Sequence, residues 1–142
     1  MSDYNKTLID DLRAHGGRAS TGNWVGRQVL ILTTIGAKTG EPRETPLAYT
    51  RDGNRIVIVA SKGGAPAHPA WYHNVVAHPS VTVEVDGERF EATARVVSDE
   101  AERRRLYDGQ AAVHPSFRDY EAKTDRVIPV IVLQRKAASV AA

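Results

Sequence analysis

The chain of 142 residues contains no cysteine, and this absence removes several kinds of chemistry at once. Disulfides, thiolate nucleophiles and cysteine-based zinc or iron–sulfur sites are all excluded. The absence also favours a reducing compartment. A domain of this length buries roughly 70% of the surface of its unfolded chain, so it needs no covalent staple.

Long apolar runs and an excess of one charge are missing as well. No segment approaches the roughly 20 apolar residues of a membrane-spanning helix, and Met1–Lys6 lacks the apolar core of a signal peptide. The formal net charge is only +2, with acids and bases intermixed, which argues against nucleic-acid binding. The sequence therefore predicts a cytoplasmic protein with no nucleic-acid partner and no transmembrane segment.

Patterns of metal ligands and nucleophiles are also absent. His68, His73 and His78 recur every five residues, which does not place them on one face of a helix, so we predict no metal site. No Gly-x-Ser-x-Gly nucleophile elbow occurs, which leaves hydrolytic chemistry without support. An enzyme without its own nucleophile or metal usually relies on a cofactor.

Six short apolar or alternating segments predict a sheet whose neighbouring strands are mostly joined by hairpins. The Asp-Gly pairs at 52–53 and 86–87 are strong hairpin signals. Helices are predicted near the N-terminus, after Pro69 and after Ser98, which we expect to be a helix cap, whereas 114–124 is predicted to be irregular. The predicted strands are Gln28–Thr34, Thr45–Arg51, Arg55–Ala60, Ser80–Val85, Arg89–Val97 and Val127–Gln134.

This order of elements predicts a mainly β protein with helices, of the α+β class, built on a closed or split antiparallel barrel. Helical crossovers are too few for a doubly wound sheet. Since there is neither a repeat nor a linker, residues 1–142 are predicted to form one domain. Its expected parts are a helix and loop lid at 1–27, the barrel at 28–134 and a tail at 135–142.

A basic turn with glycines follows the first predicted strand. Lys38 and Arg43 flank Gly40 in this turn, but the spacing fails the phosphate-loop motif because the lysine precedes the glycine. A solvated hairpin turn is one interpretation. The other is an anion clamp built from the two cations and the turn amides.

A second basic turn, Ser-Lys-Gly-Gly at 61–64, follows the third predicted strand. It is either a flexible loop or a place where a ligand approaches bare backbone beside a cation. The next helix carries Trp71, a core or ligand-wall residue, and Asn74, which bonds either a ring amide or a loop. The whole segment suits a phosphorylated, flat, ring-bearing ligand better than a metal or a macromolecule.

A longer pattern joins both turns to the aromatic helix. Its blocks are Leu32-Thr33-Thr34-x-Gly36-x-Lys38-x-Gly40-x-Pro42-Arg43, Pro46-Leu47, Ala60–Ala65 and Pro69-x-Trp71-Tyr72-x-Asn74, followed by Pro115-Ser116, Asp119-Tyr120, Thr124-Asp125-Arg126 and Ile128-Pro129. This pattern, over Gln28–Leu133, resembles the deazaflavin-dependent nitroreductase family. The middle blocks are specific, whereas the Gly-Lys-Gly turn alone is not.

The resemblance implies a split β-barrel related to flavin-binding barrels. It implies coenzyme F420, an 8-hydroxy-5-deazaflavin with a phosphate and an oligoglutamate tail. Hydride would pass from the reduced coenzyme to a small-molecule electron acceptor such as a quinone, a nitroaromatic compound or a conjugated lactone. A separate F420-reducing enzyme is implied as a functional partner. Peripheral contact with the inner face of the membrane, and the choice between monomer and homodimer, stay open.

The resemblance also assigns roles by position. The coenzyme-binding residues are Lys38, Thr39, Arg43, Pro46, Ser61, Lys62, Gly63, Ala65, Trp71, Tyr72 and Asn74. The acceptor-binding residues are Trp24, Ser61, His114, Phe117 and Tyr120, and the candidates for protonating the acceptor are Ser61, His114 and Tyr120. Because His114 and Phe117 stand where relatives can carry tyrosines, the range of acceptors stays open.

Two other functions remain open at this point. An FMN-dependent oxidoreductase on the same barrel would bind a phosphate without a glutamate tail, which explains one basic turn better than two. A binding module would store or sense a cofactor or lipid without turnover.

Overall fold

The computed structural model describes residues 3–136, in which the chain forms four α-helices and seven strands. The helices are α1 (Asp3–Ala14), α2 (Ala70–Ala77), α3 (Glu100–Val113) and α4 (Ser116–Ala122). The strands are β1 (Val29–Ile35), β2 (Pro42–Ala48), β3 (Thr50–Asp52), β4 (Arg55–Val59), β5 (Ser80–Val85), β6 (Glu88–Val96) and β7 (Val130–Arg135).

The seven strands form one antiparallel sheet in the order β2-β1-β5-β6-β7-β4-β3. The two outermost strands are consecutive in the chain and are separated only by Tyr49. The sheet therefore curls so that its two edge strands meet at Tyr49. Because no backbone pairing joins β2 to β3 among the described residues, the barrel is split rather than closed. The predicted α+β class and antiparallel barrel are confirmed, with one strand more than expected.

The predicted second strand, Thr45–Arg51, overlaps two separate strands, β2 and β3, and this division accounts for the extra strand. β2 pairs with β1, whereas β3 pairs with β4 at the other edge of the sheet. Helix α3 secures the corner between them, since Gln110 Nε2 donates a hydrogen bond to the carbonyl of Ala48 at 3.2 Å and His114 Nε2 contacts the carbonyl of Tyr49 at 3.0 Å. These long-range contacts leave no local pattern in the sequence.

Two helix predictions also need correction. Asp99 rather than Ser98 caps α3, because its carboxylate accepts a hydrogen bond from the N–H of Glu102 at 2.9 Å. The segment 114–124, predicted to be irregular, contains α4, which buries Phe117. With only seven residues, α4 is too short for a helical period to be read from the sequence.

The apolar side chains are grouped on both faces of the sheet. Leu32, Ile58 and Val83 are fully buried inside the barrel. Helices α3 and α4 cover part of the outside, where a second cluster includes Tyr107. The apolar face of α1, which carries its leucines and Ile9, packs against β1. The segments that shape the cavities below are thus held by buried contacts.

The last strand includes the first residue of the predicted tail. Arg135 belongs to β7, and the rest of the predicted tail lies outside the described residues from position 137 onward. Within residues 3–136, no helix combines the length and the apolar character that crossing a bilayer would require.

Candidate active site

Trp71, near the start of α2, separates two adjoining cavities and contributes to the wall of both. One, of about 430 Å³, is bounded mainly by ring and aliphatic side chains and is called here the aromatic cavity. The other, of about 890 Å³, contains the turn between β1 and β2 and is called the basic cavity. The indole is only 6% exposed, so this partition is built into the core.

The basic cavity carries positive charge that the protein leaves largely unneutralised. Lys38 has no ion-pair partner in the described part of the chain, and Arg43 and Arg89 each lie 3.9 Å from a glutamate oxygen. Glu44 also lines this cavity, but Arg13 engages its carboxylate. An open cavity with three available cations fits a ligand that bears several negative charges.

Asn74 fastens the basic turn to α2. Its Oδ1 accepts a hydrogen bond from the N–H of Ala37 at 2.9 Å, and its Nδ2 donates to Thr34 Oγ1 at 3.1 Å. The side chain is buried, so both bonds are shielded from water. Of the two partners considered for this asparagine, the loop is the one it contacts, and a contact with the coenzyme stays a prediction. The bond to Ala37 positions the neighbouring Lys38.

The aromatic cavity is lined by rings that pack on one another. Phe117 lies against Tyr120 with ring centroids 5.1 Å apart and against His114 at 6.0 Å. Trp24 and Trp71 complete the aromatic lining. A mostly apolar cavity with a few polar groups fits a flat heterocycle and a small planar acceptor.

The loop after β4 exposes backbone donors beside this cavity. Ser61 has right-handed helical angles (φ −78°, ψ −38°), whereas Lys62 and Gly63 have φ values of +47° and +63°. Within residues 3–136, the N–H groups of these three residues have no hydrogen-bond acceptor. A right-handed residue followed by a left-handed one turns successive N–H groups to one side, which favours anions or carbonyl oxygens there.

Gly64 allows the same loop to lie directly against α4. Its φ is +82°, and an added Cβ would come within 2.7 Å of the carbonyl oxygen of Tyr120. No other residue type fits this position without moving the backbone. The loop is therefore held at a fixed distance from Tyr120, which lines the aromatic cavity.

Arg126 contacts this loop and was absent from the predicted site. Its guanidinium donates hydrogen bonds to the carbonyls of Ala60, Ser61 and Ala65 at 2.8–3.1 Å. These partners lie 61 to 66 positions away in the chain, so no local pattern reveals the contact. The only signal was the position of Arg126 inside the C-terminal part of the family pattern.

The part of the chain before β1 contributes more residues to the aromatic cavity than expected. Trp24 was the only residue of this part that was predicted to belong to the site, but Tyr4, Asn23 and Arg27 also line the cavity. Trp24 Nε1 donates a hydrogen bond to the hydroxyl of Tyr4 at 3.2 Å, which ties the loop to α1. Arg27 is exposed, and its guanidinium has no hydrogen-bond or ion-pair partner among residues 3–136, so an unpaired cation lies beside the aromatic cavity.

The surroundings of His114 favour its neutral form. A carbonyl oxygen only accepts, so the ring nitrogen Nε2, 3.0 Å from the carbonyl of Tyr49, carries the proton. Burial lowers the pKa of His114, and the charge of Arg27 adds to this, while the bond to Tyr49 opposes it. The one N–H of the neutral ring is thus already used. This geometry argues against His114 as the proton donor, a role that stays a prediction.

Most predicted site residues lie on one of the two cavities. The aromatic cavity has Trp24, Pro46, Ser61, Lys62, Gly63, Trp71, His114, Phe117 and Tyr120. The basic cavity has Lys38, Thr39, Arg43, Trp71 and Asn74.

Two predicted coenzyme-binding residues line neither cavity. The carbonyl of Ala65 faces Arg126, and Tyr72 packs on His68 with ring centroids 4.6 Å apart. The two cationic turns also belong to neighbouring cavities rather than to a single cleft.

The family pattern extends well beyond the residues that line the cavities. A family model described as F420H(2)-dependent quinone reductase matches residues 6–135. The F420H(2)-dependent quinone reductase Rv1261c of Mycobacterium tuberculosis (strain ATCC 25618 / H37Rv) is 44% identical over 111 residues, which are 75% of this chain and 73% of that protein.

Solved structures agree with this match. A structure of an F420-H2 dependent reductase (FDR-A) has a TM-score of 0.70 and 38% identity, and the likeness covers 76% of this chain and 95% of that one. An FAD-binding protein of Mesorhizobium loti (mll6688) shares the fold alone, with a TM-score of 0.56, 16% identity and coverage of 79% and 82%. The resemblance seen in the sequence is confirmed: the chain belongs to the F420H(2)-dependent quinone reductase family and is an F420-dependent oxidoreductase.

Proposed function

We propose that the chain reduces a quinone with reduced coenzyme F420, whose charged tail is held in the basic cavity and whose ring is held in the aromatic cavity. The supporting observation is that both cavities meet at Trp71. A ligand that joins a polyanionic tail to a flat head needs a cationic and an apolar site side by side. FMN has only one phosphate, so it accounts less well for three cations in a cavity of about 890 Å³.

In the basic cavity, Lys38 and Arg43 bind the phosphate and the tail carboxylates, and Arg89 adds a third cation. Thr39 supplies a hydroxyl on the same turn. Long, exposed side-chain charges suit a flexible tail, because they adapt to more than one tail conformation. Asn74 acts on this part of the site by fixing the turn.

In the aromatic cavity, Pro46 and Trp71 form an apolar wall for the coenzyme ring, and the N–H groups of 61–63 bind its polar edge. The acceptor lies among Trp24, Phe117 and Tyr120. The lid predicted at 1–27 covers this cavity with its aromatic residues and excludes water from the reaction.

When bound, the reduced coenzyme supplies one hydride, and a quinone that takes this hydride and one proton becomes a hydroquinone. The side chains bind and orient the two reactants and deliver the proton. Ser61 and Tyr120 line the cavity, and their hydroxyls are the groups that supply this proton, with replacement from solvent. His114 remains neutral and holds the β2–β3 corner.

A direct assay tests this function. The protein is mixed with reduced F420 and menadione, and the return of absorbance at the deazaflavin band is followed. We expect a return that is faster than without protein and saturates with quinone. An unchanged rate would refute the reaction. Tight F420 binding without turnover of any acceptor would support a binding module instead, and isolation as a yellow FMN complex indifferent to F420 would support the flavin alternative.

A further inference from the structure

Arg126 uses every hydrogen-bond donor of its guanidinium on one loop. A guanidinium has five N–H groups. In this chain they are directed at the carbonyls of Ala60, Ser61 and Ala65 and at His68 Nδ1, at distances of 2.8–3.1 Å. All of these partners fall within 60–68, the segment that connects β4 to α2. Because every donor is occupied in this way, none is left for a carboxylate.

These bonds determine which way two peptide groups of the loop face. In a trans peptide, the C=O and the following N–H point in opposite directions. Since the carbonyls of Ala60 and Ser61 are turned toward Arg126, the N–H groups of Ser61 and Lys62 are turned away from it. Ser61 and Lys62 also line the aromatic cavity, and their N–H groups have no acceptor in residues 3–136.

The charge of Arg126 acts in the same direction. The guanidinium lies on the carbonyl side of peptides whose N–H groups have no acceptor in the described part of the chain, and no carboxylate there forms an ion pair with it. A positive charge there polarises the two peptide groups and raises the positive potential on their N–H side. An electron-rich ligand edge next to Ser61 and Lys62 would be bound more tightly, because the N–H groups face it and because Arg126 polarises them.

We infer that Arg126 is a positioning residue for the coenzyme-contacting loop: it orients the donors of Ser61 and Lys62 without touching the ligand itself. This inference rests on the proposed binding of the coenzyme ring in the aromatic cavity. A lysine cannot replace the arginine, because three donors on a single nitrogen do not reach carbonyls on both sides of the loop.

The test compares Arg126→Ala and Arg126→Lys with Arg118→Ala as a matched control. Arg118 lies on α4 and is exposed, and its side chain bonds only Asp108 among the described residues. In the absence of ligand, amide hydrogen exchange of the peptides covering 60–68 reports the order of the loop. Titration with F420, read by its fluorescence, gives the dissociation constant.

We expect faster exchange in 60–68 for both Arg126 variants and unchanged exchange in β1 and β5. The F420 dissociation constant should rise about tenfold or more for both, and stay within about twofold for the control. Guanidinium ion at a sub-denaturing concentration should restore part of the affinity of Arg126→Ala, while sodium chloride at equal ionic strength should not.

Different results overturn different claims. Unchanged exchange in 60–68, or wild-type affinity in Arg126→Ala, refutes the positioning role. Equal affinity for Arg126→Lys and wild type would show that charge alone suffices and would refute it too. If the wild-type protein fails to bind F420, the proposed function falls, and the exchange measurement still decides whether Arg126 orders the loop.

Discussion

The two cavities beside Trp71 differ in whether side chains or the backbone supply their polar groups. The basic cavity presents exposed side-chain charges, Lys38 from the turn between β1 and β2 and Arg43 from the start of β2. The aromatic cavity presents buried rings and backbone N–H groups from a loop that Gly64 and Arg126 hold in place. We therefore expect binding in the basic cavity to depend on charge and binding in the aromatic cavity to depend on packing.

This difference has consequences for stability and salt dependence. Removing an exposed, loosely paired cation leaves the fold unchanged, but weakens the binding of an anionic tail in a salt-sensitive way. Removing a buried ring disturbs folding and binding together. A substitution that weakens binding without destabilising the protein therefore marks the basic cavity, and one that does both marks the aromatic cavity.

The largest effect is expected for Phe117→Ala. The ring is 7% exposed and packs against Tyr107 and Tyr120, so its loss should lower the free energy of unfolding by about 3–5 kcal/mol. Turnover with quinones should also fall, because the acceptor loses a wall. Chemical denaturation gives the stability, and Phe117→Leu provides a control that keeps most of the volume. A stability loss below about 1 kcal/mol would contradict the assignment of Phe117 to the core.

A smaller and cleaner effect is expected for Lys38→Ala. Loss of one charged contact should weaken F420 binding by about 1–3 kcal/mol and leave the unfolding free energy unchanged, since the side chain is exposed. Fluorescence titration at low and high salt gives the F420 dissociation constant, and added salt should reduce the difference in affinity between variant and wild type.

Arg95→Ala serves as the control for this charge effect. Arg95 is exposed on β6, pairs with Glu102 and lines neither cavity. If both variants bind F420 equally well, the basic cavity is not the tail site.

The two regions also differ in how far they could be predicted from sequence. Lys38 and Arg43 are close in the chain, and the turn that joins two hairpin strands shows its glycines and proline openly. Local turn chemistry is therefore enough to place both cations at one site. The same holds for Trp71 and Asn74, which are three positions apart on a helix whose start was read from Pro69.

The aromatic cavity was predicted less completely because its parts meet only after folding. The contact of Arg126 with Ser61 spans 65 positions, and neither residue is unusual in its local context. Helix α4 is too short to show a period, and the corner at Tyr49 depends on hydrogen bonds from α3. Family resemblance assigned Phe117 and Tyr120 to the acceptor by position, but it supplied no reason for their arrangement.

A weaker effect, on pH dependence, should separate His114 from the exposed histidines. Its folded-state pKa is lowered, chiefly by burial, from an unfolded value of about 6.5. Between these two values the unfolded chain binds more protons, so the free energy of unfolding should fall as pH falls below about 6.5. The slope from this single group is at most about 1.4 kcal/mol per pH unit.

His114→Gln should reduce this slope while its amide still donates to the carbonyl of Tyr49. His68, whose pKa is also lowered by burial and by Arg126, leaves a residual slope of the same sign. His78→Gln, at an exposed position after α2, is the control and should keep the wild-type slope. A slope unaffected by His114→Gln would place the acid sensitivity elsewhere.

The smallest effect is expected for Tyr72→Phe, which bears on the border between the cavities. Tyr72 follows Trp71 in the chain, yet it lines neither cavity and packs on His68. Loss of its hydroxyl should change F420 affinity and stability by no more than about 0.5 kcal/mol. Trp71→Phe, compared in the same titration, should weaken binding clearly, because it thins the wall that both cavities share. A loss of affinity in Tyr72→Phe as large as that in Trp71→Phe would mean that the bound coenzyme reaches past α2, and the separation into a charged and an aromatic region would have to be redrawn around Tyr72.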